Sequence, residues 1–500
     1  MSARTSSPLP AQSAGSIPSA GRLYRAVWRW HFYAGVLVAP LAIFLAITGA
    51  IYLWKPQYEA WRYRELLTVP TGAATVTPDA QIAAARAAVP PPMRAQSFQP
   101  AFAPGETSVV TFRAAGSSSF SPGLAVYVNP YTGEVVGQLR EDTTFMTQVK
   151  NLHGSLFAGK TGKYIVELAA SWALVLFLTG LYLAWPRPRF AVRGFLLPRL
   201  GAKGRIFWRD LHAVPAVWLS VATVFMLATG LLWTQGAGTW YRQISTWAGQ
   251  GTPRESNASA HRSELGGWSP TLRAGLTEKI DRLASTPPAH DHSMHGGMPA
   301  PTPVTAPDGP YANAISLEAA IAHAHARRLP PPFVIGLPVG PEGVFSAISD
   351  RNQPFRRRYL HLDQYTGDVL ADVGFKDFGY LAQFFSWGIV AHEGRLFGLA
   401  NQILGSIVAG GVVLLGVSGL ALWWQRRPER DGGVRERVAT TASALMTRER
   451  LPRRIIAGYV ALAALLPLLA GSLAVLWLGE RVVQPWIRAR QGDSQRVGSR

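Results

Sequence analysis

Five stretches of this chain, roughly residues 31–54, 164–185, 212–233, 399–424 and 455–478, stay apolar for longer than a soluble core helix usually does. A bilayer core asks for about 20 consecutive apolar helical residues, and each stretch supplies them. The bilayer holds no water to satisfy backbone N–H and C=O groups, so each stretch must be helical. The chain is predicted to be an α-helical integral membrane protein with about five transmembrane helices. The lipid bilayer is its first expected partner. A composition 48% hydrophobic and only 16% charged agrees with this.

The net charge of +20 could suggest nucleic acid as a partner, but its placement argues against that. Arg22, Arg25 and Arg29 precede the first stretch. Arg187, Arg189, Arg193, Arg199, Lys203, Arg205 and Arg209 lie between the second and third, and Arg426, Arg427, Arg430, Arg435 and Arg437 follow the fourth. By the positive-inside rule the N-terminus and these two loops are cytoplasmic, and residues 55–163 and 235–398 face the other side. Arg481, Arg488, Arg490, Arg496 and Arg500 break the rule after the fifth stretch, which leaves its orientation unassigned. The absence of cysteine excludes disulfides, zinc–thiolate sites and iron–sulfur clusters on this chain. No cleavable signal pattern precedes the first stretch, which reads as a signal anchor.

The chain also repeats itself. Span one runs from WHFYAG to TGAIYLW and span three from LHAVPAVW to TGLLW; His31 to Thr48 and His212 to Thr229 are both 17 residues. Span two follows LHGSLFAG and ends TGLYLAW, and span four follows AHEGRLFG and ends SGLALWW. His153 to Thr179 and His392 to Ser418 are both 26 residues. Between the spans, AVYVNPYTGEVVG and YLHLDQYTGDVLA each read as strand, tight turn and strand. Helical patterns precede them at 77–89 and 316–328, with Thr77 and Ser316 as N-caps. Each outer segment is expected to be a small α+β unit of about 60–70 residues, of doubtful stability alone.

The expected organisation is a disordered N-terminus at 1–20, a transmembrane helix at 21–54 and a first α+β domain at 55–150. A second transmembrane helix with its His segment follows at 151–187, then a basic cytoplasmic loop at 188–211 and a third helix at 212–234. The second α+β domain occupies 235–380, the fourth helix with its His segment 381–425, a cytoplasmic loop 426–453, the fifth helix 454–479 and a tail 480–500.

Four histidines, His31, His153, His212 and His392, sit at matched places in the two halves, two toward each face. Neutral imidazole ligates haem iron, and two imidazoles can hold one haem from opposite sides. Trp28, Trp30, Phe32, Phe157, Trp218, Phe385 and Phe397 are candidate walls for it. Two haems, one near each face, would form an electron path. The bland alternative is that a His near a membrane interface serves headgroups or hydrogen bonds, although His at membrane depth is usually functional. The Thr/Ser–Gly pairs read as helix-packing positions, and Trp54, Trp185, Trp233, Trp423 and Trp424 as interfacial anchors. The segment HDHSMHGGM, with His290, His292, Met294, His295 and Met298, mixes imidazole with thioether and suits copper. It lies in a stretch, 284–310, that reads as a loop. His323, His325 and His361 read as ordinary surface residues. No Walker A motif, dinucleotide fingerprint, HExxH or nucleophile elbow is present, so an unidentified external electron donor would be needed.

These residues resemble a known family. RLYRAVWRWHFYAGVLVAPLAIFLAITGAIYLW, at 22–54, is similar to the first span of PepSY-associated transmembrane proteins. LHGSLFAGKTGKYIVELAASWALVLFLTGLYLAWPR, at 152–187, resembles their second, and the Tyr-Thr-Gly-acid turns at 131–134 and 365–368 resemble the end of a PepSY domain. The resemblance covers about 20–430. It implies a bacterial inner-membrane protein with periplasmic PepSY-like domains. It also implies a link to iron uptake, since some members are described as haem-carrying ferric-siderophore reductases. Haem b, two per chain, would then use His31, His153, His212 and His392, and the substrate would be a ferric siderophore or similar chelate. Two other readings stay open: a non-enzymatic PepSY binding or regulatory protein, and periplasmic copper handling through the 290–298 loop.

Overall fold

A computed structural model describes residues 19–114, 117, 121–186, 192–263, 314–349, 353–425, 453–476 and 478. In chain order the helices are α1 (Ser19–Leu53), α2 (Lys55–Arg62), α3 (Arg64–Leu67), α4 (Pro78–Ala87), α5 (Phe145–Ser155), α6 (Gly159–Ala184), α7 (Gly204–Leu231), α8 (Ala237–Trp247), α9 (Leu317–Ala326), α10 (Tyr380–His392), α11 (Leu399–Trp424) and α12 (Arg453–Leu465). The strands are β1 (Met93–Gln99), β2 (Ser108–Ala114), β3 (Leu124–Val128), β4 (Val135–Arg140), β5 (Phe333–Gly336), β6 (Val344–Ser349), β7 (Arg358–Asp363) and β8 (Val369–Gly374). The chain divides into a unit of Met1–Ala50, His153–Thr239 and Ser406–Arg500 and a unit of Ile51–Leu152 and Trp240–Gly405.

Four helices among the described residues are long and apolar enough to cross a bilayer: Leu23–Leu53, Gly159–Ala184, Gly204–Leu231 and Leu399–Trp424. The fifth expected span differs. It is broken at Leu466 into α12 and a short helix, Pro467–Leu476. Pro467 has no N–H to give, and its ring crowds the preceding turn. Neither piece alone has the length a bilayer core demands. This segment packs into the first unit: Leu466 and Leu469 are buried with Leu174, Val175 and Leu231, and Trp172 Nε1 donates to Ser472 Oγ at 3.2 Å. In the same unit small residues let helices approach closely. A Cβ on Gly411 would stand 2.1 Å from Leu219 Cδ1, and one on Gly416 2.5 Å from Ile43 Cγ1.

The second unit holds one antiparallel sheet of eight strands, in the order β4-β3-β2-β1-β5-β6-β7-β8. The segments expected to form two separate α+β domains are joined edge to edge. Ser97 pairs with Gly336 and Phe98 with Ile335, and Leu337 N donates to Gln96 O at 2.9 Å. One apolar cluster serves both halves, with Phe98, Phe112 and Val126 from the first and Leu317, Phe333, Ile335 and Leu360 from the second. A half of about 60 residues buries little apolar surface by itself, and joining β1 to β5 removes two exposed strand edges.

The local chemistry of the two halves is the same. Thr77 Oγ1 accepts from Ala80 N at 3.3 Å and Ser316 Oγ from Ala319 N at 3.1 Å, the N-caps of α4 and α9. Asn129 Oδ1 accepts from Tyr131 N at 2.9 Å and Asp363 Oδ1 from Tyr365 N at 2.8 Å. Gly133 at φ 76° and Gly367 at φ 77° close these turns in a conformation that favours glycine. Gln364 has a further part: its N–H donates to Ser263 Oγ at 2.8 Å, and its carbonyl accepts from Ile315 N at 2.8 Å.

His361, expected at the surface, is 1% exposed. Strand alternation predicts one covered face, but residues around 256–263 cover the other. The His361 ring stands 5.0 Å from that of His261, and its Nδ1 lies 2.9 Å from Ser346 Oγ on β6. Burial, with His261 nearby as a smaller cause, lowers its pKa from 6.5 to about 4. The unfolded chain takes up a proton near pH 6.5, whereas the folded one does so only near 4. Stability is therefore full above that window and falls as pH drops through it, by about 3 kcal/mol. Denaturant melts of the detergent-solubilised protein between pH 7 and 4 should lose this slope in His361→Gln. His323 and His325 are exposed, as expected.

Candidate functional site

The candidate site is built in the first unit, where three of the four matched histidines, on α1, α7 and the end of α5, meet α6, α11 and α1. His31 on α1 places Nδ1 2.9 Å from Thr179 Oγ1 on α6. His212 on α7 places Nδ1 3.0 Å from the Leu415 carbonyl and 3.1 Å from Ser418 Oγ on α11. His153, in the last turn of α5, places Nδ1 3.0 Å from Thr48 Oγ1 on α1. The imidazole rings of His31 and His212 have centroids 6.3 Å apart and planes at 81°. The sequence alone could not show which histidines pair across the repeat. His392 closes α10 in the other unit, half-buried, at a chain reversal through Gly394 at φ 73°.

The hydroxyl and glycine beside each of these three histidines belong to pairs read from the sequence as helix packing. Each glycine lies under an imidazole. A Cβ on Gly180 would come within 3.1 Å of His31 Cε1, on Gly49 within 3.1 Å of His153 Cε1, and on Gly419 within 3.4 Å of His212 Cε1.

Charge also helps position the helices. Asp210, two residues before His212 and 1% exposed, accepts from Arg199 Nε at 2.8 Å, Arg199 Nη2 at 2.7 Å and Arg209 Nη1 at 3.0 Å. This pins the basic segment after α6 to the start of α7. Glu167, fully buried on α6, accepts from Gly236 N at 2.7 Å and Ala237 N at 2.8 Å at the start of α8. A carboxylate within an apolar run was a visible signal for this contact, but its partners lie about 70 residues away in the chain.

Of the expected aromatic walls, Trp28 and Phe32 stack at 5.3 Å in the turn around His31. Trp218 is exposed and donates to the Leu196 carbonyl at 2.8 Å. Phe157 and Phe397 are exposed, and Phe385 stacks on Tyr241 at 5.9 Å. The candidate copper ligands His290, His292, Met294, His295 and Met298 lie outside the described residues. Among the described residues no three His, Asp or Glu side chains converge on a point that would hold a bare metal ion.

A comparison with curated proteins finds no match. The model of the PepSY-associated TM region matches residues 28–426. This match takes in three of the four span-length helices, all but the first turn or so of the other, and the whole eight-stranded sheet, and the chain is a membrane protein belonging to the PepSY-associated TM family.

Proposed function

We propose that this protein is a haem-carrying inner-membrane reductase that passes electrons outward to a ferric chelate. The observation that carries the reading is the His31–His212 pair. A metal–imidazole bond of about 2 Å puts the ring centroid about 3 Å from the metal, so two rings holding one ion stand up to about 6 Å apart. The 6.3 Å separation meets that figure. Two imidazoles with no third His, Asp or Glu beside them among the described residues suit a metal that brings its other ligands with it, as haem iron does. When bound, haem would supply one-electron redox chemistry at this site.

The chain's own residues hold, orient and insulate. His31 and His212 would hold the haem iron. His153 and His392 are the counterparts in the sequence repeat from which further haem ligands would come. The span-length helices exclude water around His31 and His212. The matched His spacings and the like order of elements in the two halves of the sheet support an internal duplication, with the PepSY-like sheet on the periplasmic side. Outside, one electron would convert Fe(III) of a siderophore-type chelate to Fe(II). Hard oxygen ligands hold Fe(II) less well, so the iron would be released for uptake. The electron donor is a separate partner, because the chain carries no nucleotide-binding fingerprint.

The test is a reduced-minus-oxidised absorption spectrum of the purified full-length protein, with haem counted per chain. About two b-type haems, each low-spin, is the expected result. Protein expressed with ample haem that purifies colourless would overturn the reading and favour a non-enzymatic binding role.

A further inference from the structure

We propose that Thr179–Gly180 and Thr48–Gly49 are positioning residues that hold His31 and His153 in the metal-ligating tautomer, and that at His212 the Leu415 carbonyl holds it, with Ser418–Gly419 as a redundant second support. The inference rests on the haem reading above and deepens it. A Thr or Ser hydroxyl has one proton to donate. Thr179 gives it to its own helix, with Val175 O at 2.8 Å and Leu176 O at 3.1 Å. Thr48 does the same with Phe44 O at 3.0 Å and Leu45 O at 3.1 Å. Ser418 does so with Leu414 O at 2.6 Å and Leu415 O at 3.2 Å. With that proton committed, each hydroxyl oxygen can only accept from the histidine beside it. The hydrogen of neutral His31 and His153 therefore sits on Nδ1, and Nε2 carries the lone pair. His212 reaches the same state by a second route, because the Leu415 carbonyl 3.0 Å from its Nδ1 is an acceptor only. Ligating histidines in metal sites commonly donate their other N–H in this way, which fixes ring orientation and raises basicity.

Glycine completes the device. The next residue after each hydroxyl lies beneath Cε1 of the ring, the carbon between the two nitrogens. A methyl there would stand 3.1 Å from Cε1 of His31 or His153 and would push the ring off the helix. Simple helix packing needs a small residue but no hydroxyl that accepts from an imidazole. The same pairing occurs at three separate histidines. Thr229, the fourth hydroxyl of the series, likewise donates to Phe225 O at 2.8 Å and Met226 O at 3.2 Å.

The experiment uses the full-length protein in detergent, loaded with haem b, with two readouts: loss of haem to an acceptor apoprotein and the electron paramagnetic resonance signal of the low-spin ferric state. Thr179→Val keeps the shape and removes the acceptor. It is expected to weaken retention of the haem at His31 by about 10–100-fold and to move its signal, as outer-shell changes do at other metal sites. Thr179→Ser should restore both. Ser418→Ala should change little, because His212 keeps the Leu415 carbonyl. Gly180→Ala should broaden or shift the same signal as Thr179→Val. Haem-loaded wild type that Thr179→Val and Gly180→Ala leave unaltered in both readouts would overturn this inference alone. A folded Thr179→Ser that fails to rescue would also do so. Wild type that takes up no haem would overturn the haem reading itself, and this inference with it.

Discussion

His212→Ala is expected to cost the protein one haem per chain, and His31→Ala should cost it the same one. The double variant should lose no more than either single variant. Two ligands of one iron act as a unit, so removing the second after the first takes away nothing further. A lone remaining imidazole leaves the iron with an open position and a weakly held cofactor. Haem per chain, measured as the pyridine complex alongside the low-spin absorption bands, reads this directly. Losses that add in the double variant would mean that His31 and His212 serve different cofactors. Full haem in the double variant would remove both from the site. The 6.3 Å between the rings makes the shared loss the expected outcome.

Phe98→Ala should destabilise the whole sheet, by about 3–5 kcal/mol. Phe98 is fully buried on β1 and stands opposite Ile335 at the seam between the halves. Because one apolar cluster runs through both halves, the loss should spread. Amide hydrogen exchange is expected to rise in β2–β4 and equally in β6–β8. A rise confined to residues 93–140 would mean that the halves fold separately and that the seam is a contact between two finished domains.

The four long spans were legible because length and apolarity alone determine them. The break at Pro467 was not, since proline is tolerated within membrane helices when neighbours satisfy the freed carbonyl. The matched histidines were visible as equal spacings along the chain. Their partners were hidden, because His31 meets Thr179 of another helix, although its own helix carries Thr48. Such crossed pairing is a tertiary fact. The hydroxyl–glycine pairs were read as packing since small residues are common at helix contacts. The N-caps and Tyr-Thr-Gly turns were readable because their chemistry is local. The joining of the sheets was not, as it depends on one two-residue register. His361 misled because a polar residue in an alternating strand suggests an open face, and its cover comes from residues about 100 positions earlier.

The two hydrogen bonds at Gln364 bear on how this protein can diverge. Ser263 and Ile315, which flank residues 264–313 in the sequence, are both tied to the backbone of Gln364. The described residues on either side of this segment are thus held at one residue. The segment's length can change without shifting a strand, since doubling a closed loop costs only about 0.6 kcal/mol. The His/Met segment at 290–298 falls between those two anchors in the sequence. Deleting it is therefore expected to leave the register of the eight strands unchanged, which amide hydrogen exchange of the sheet would check.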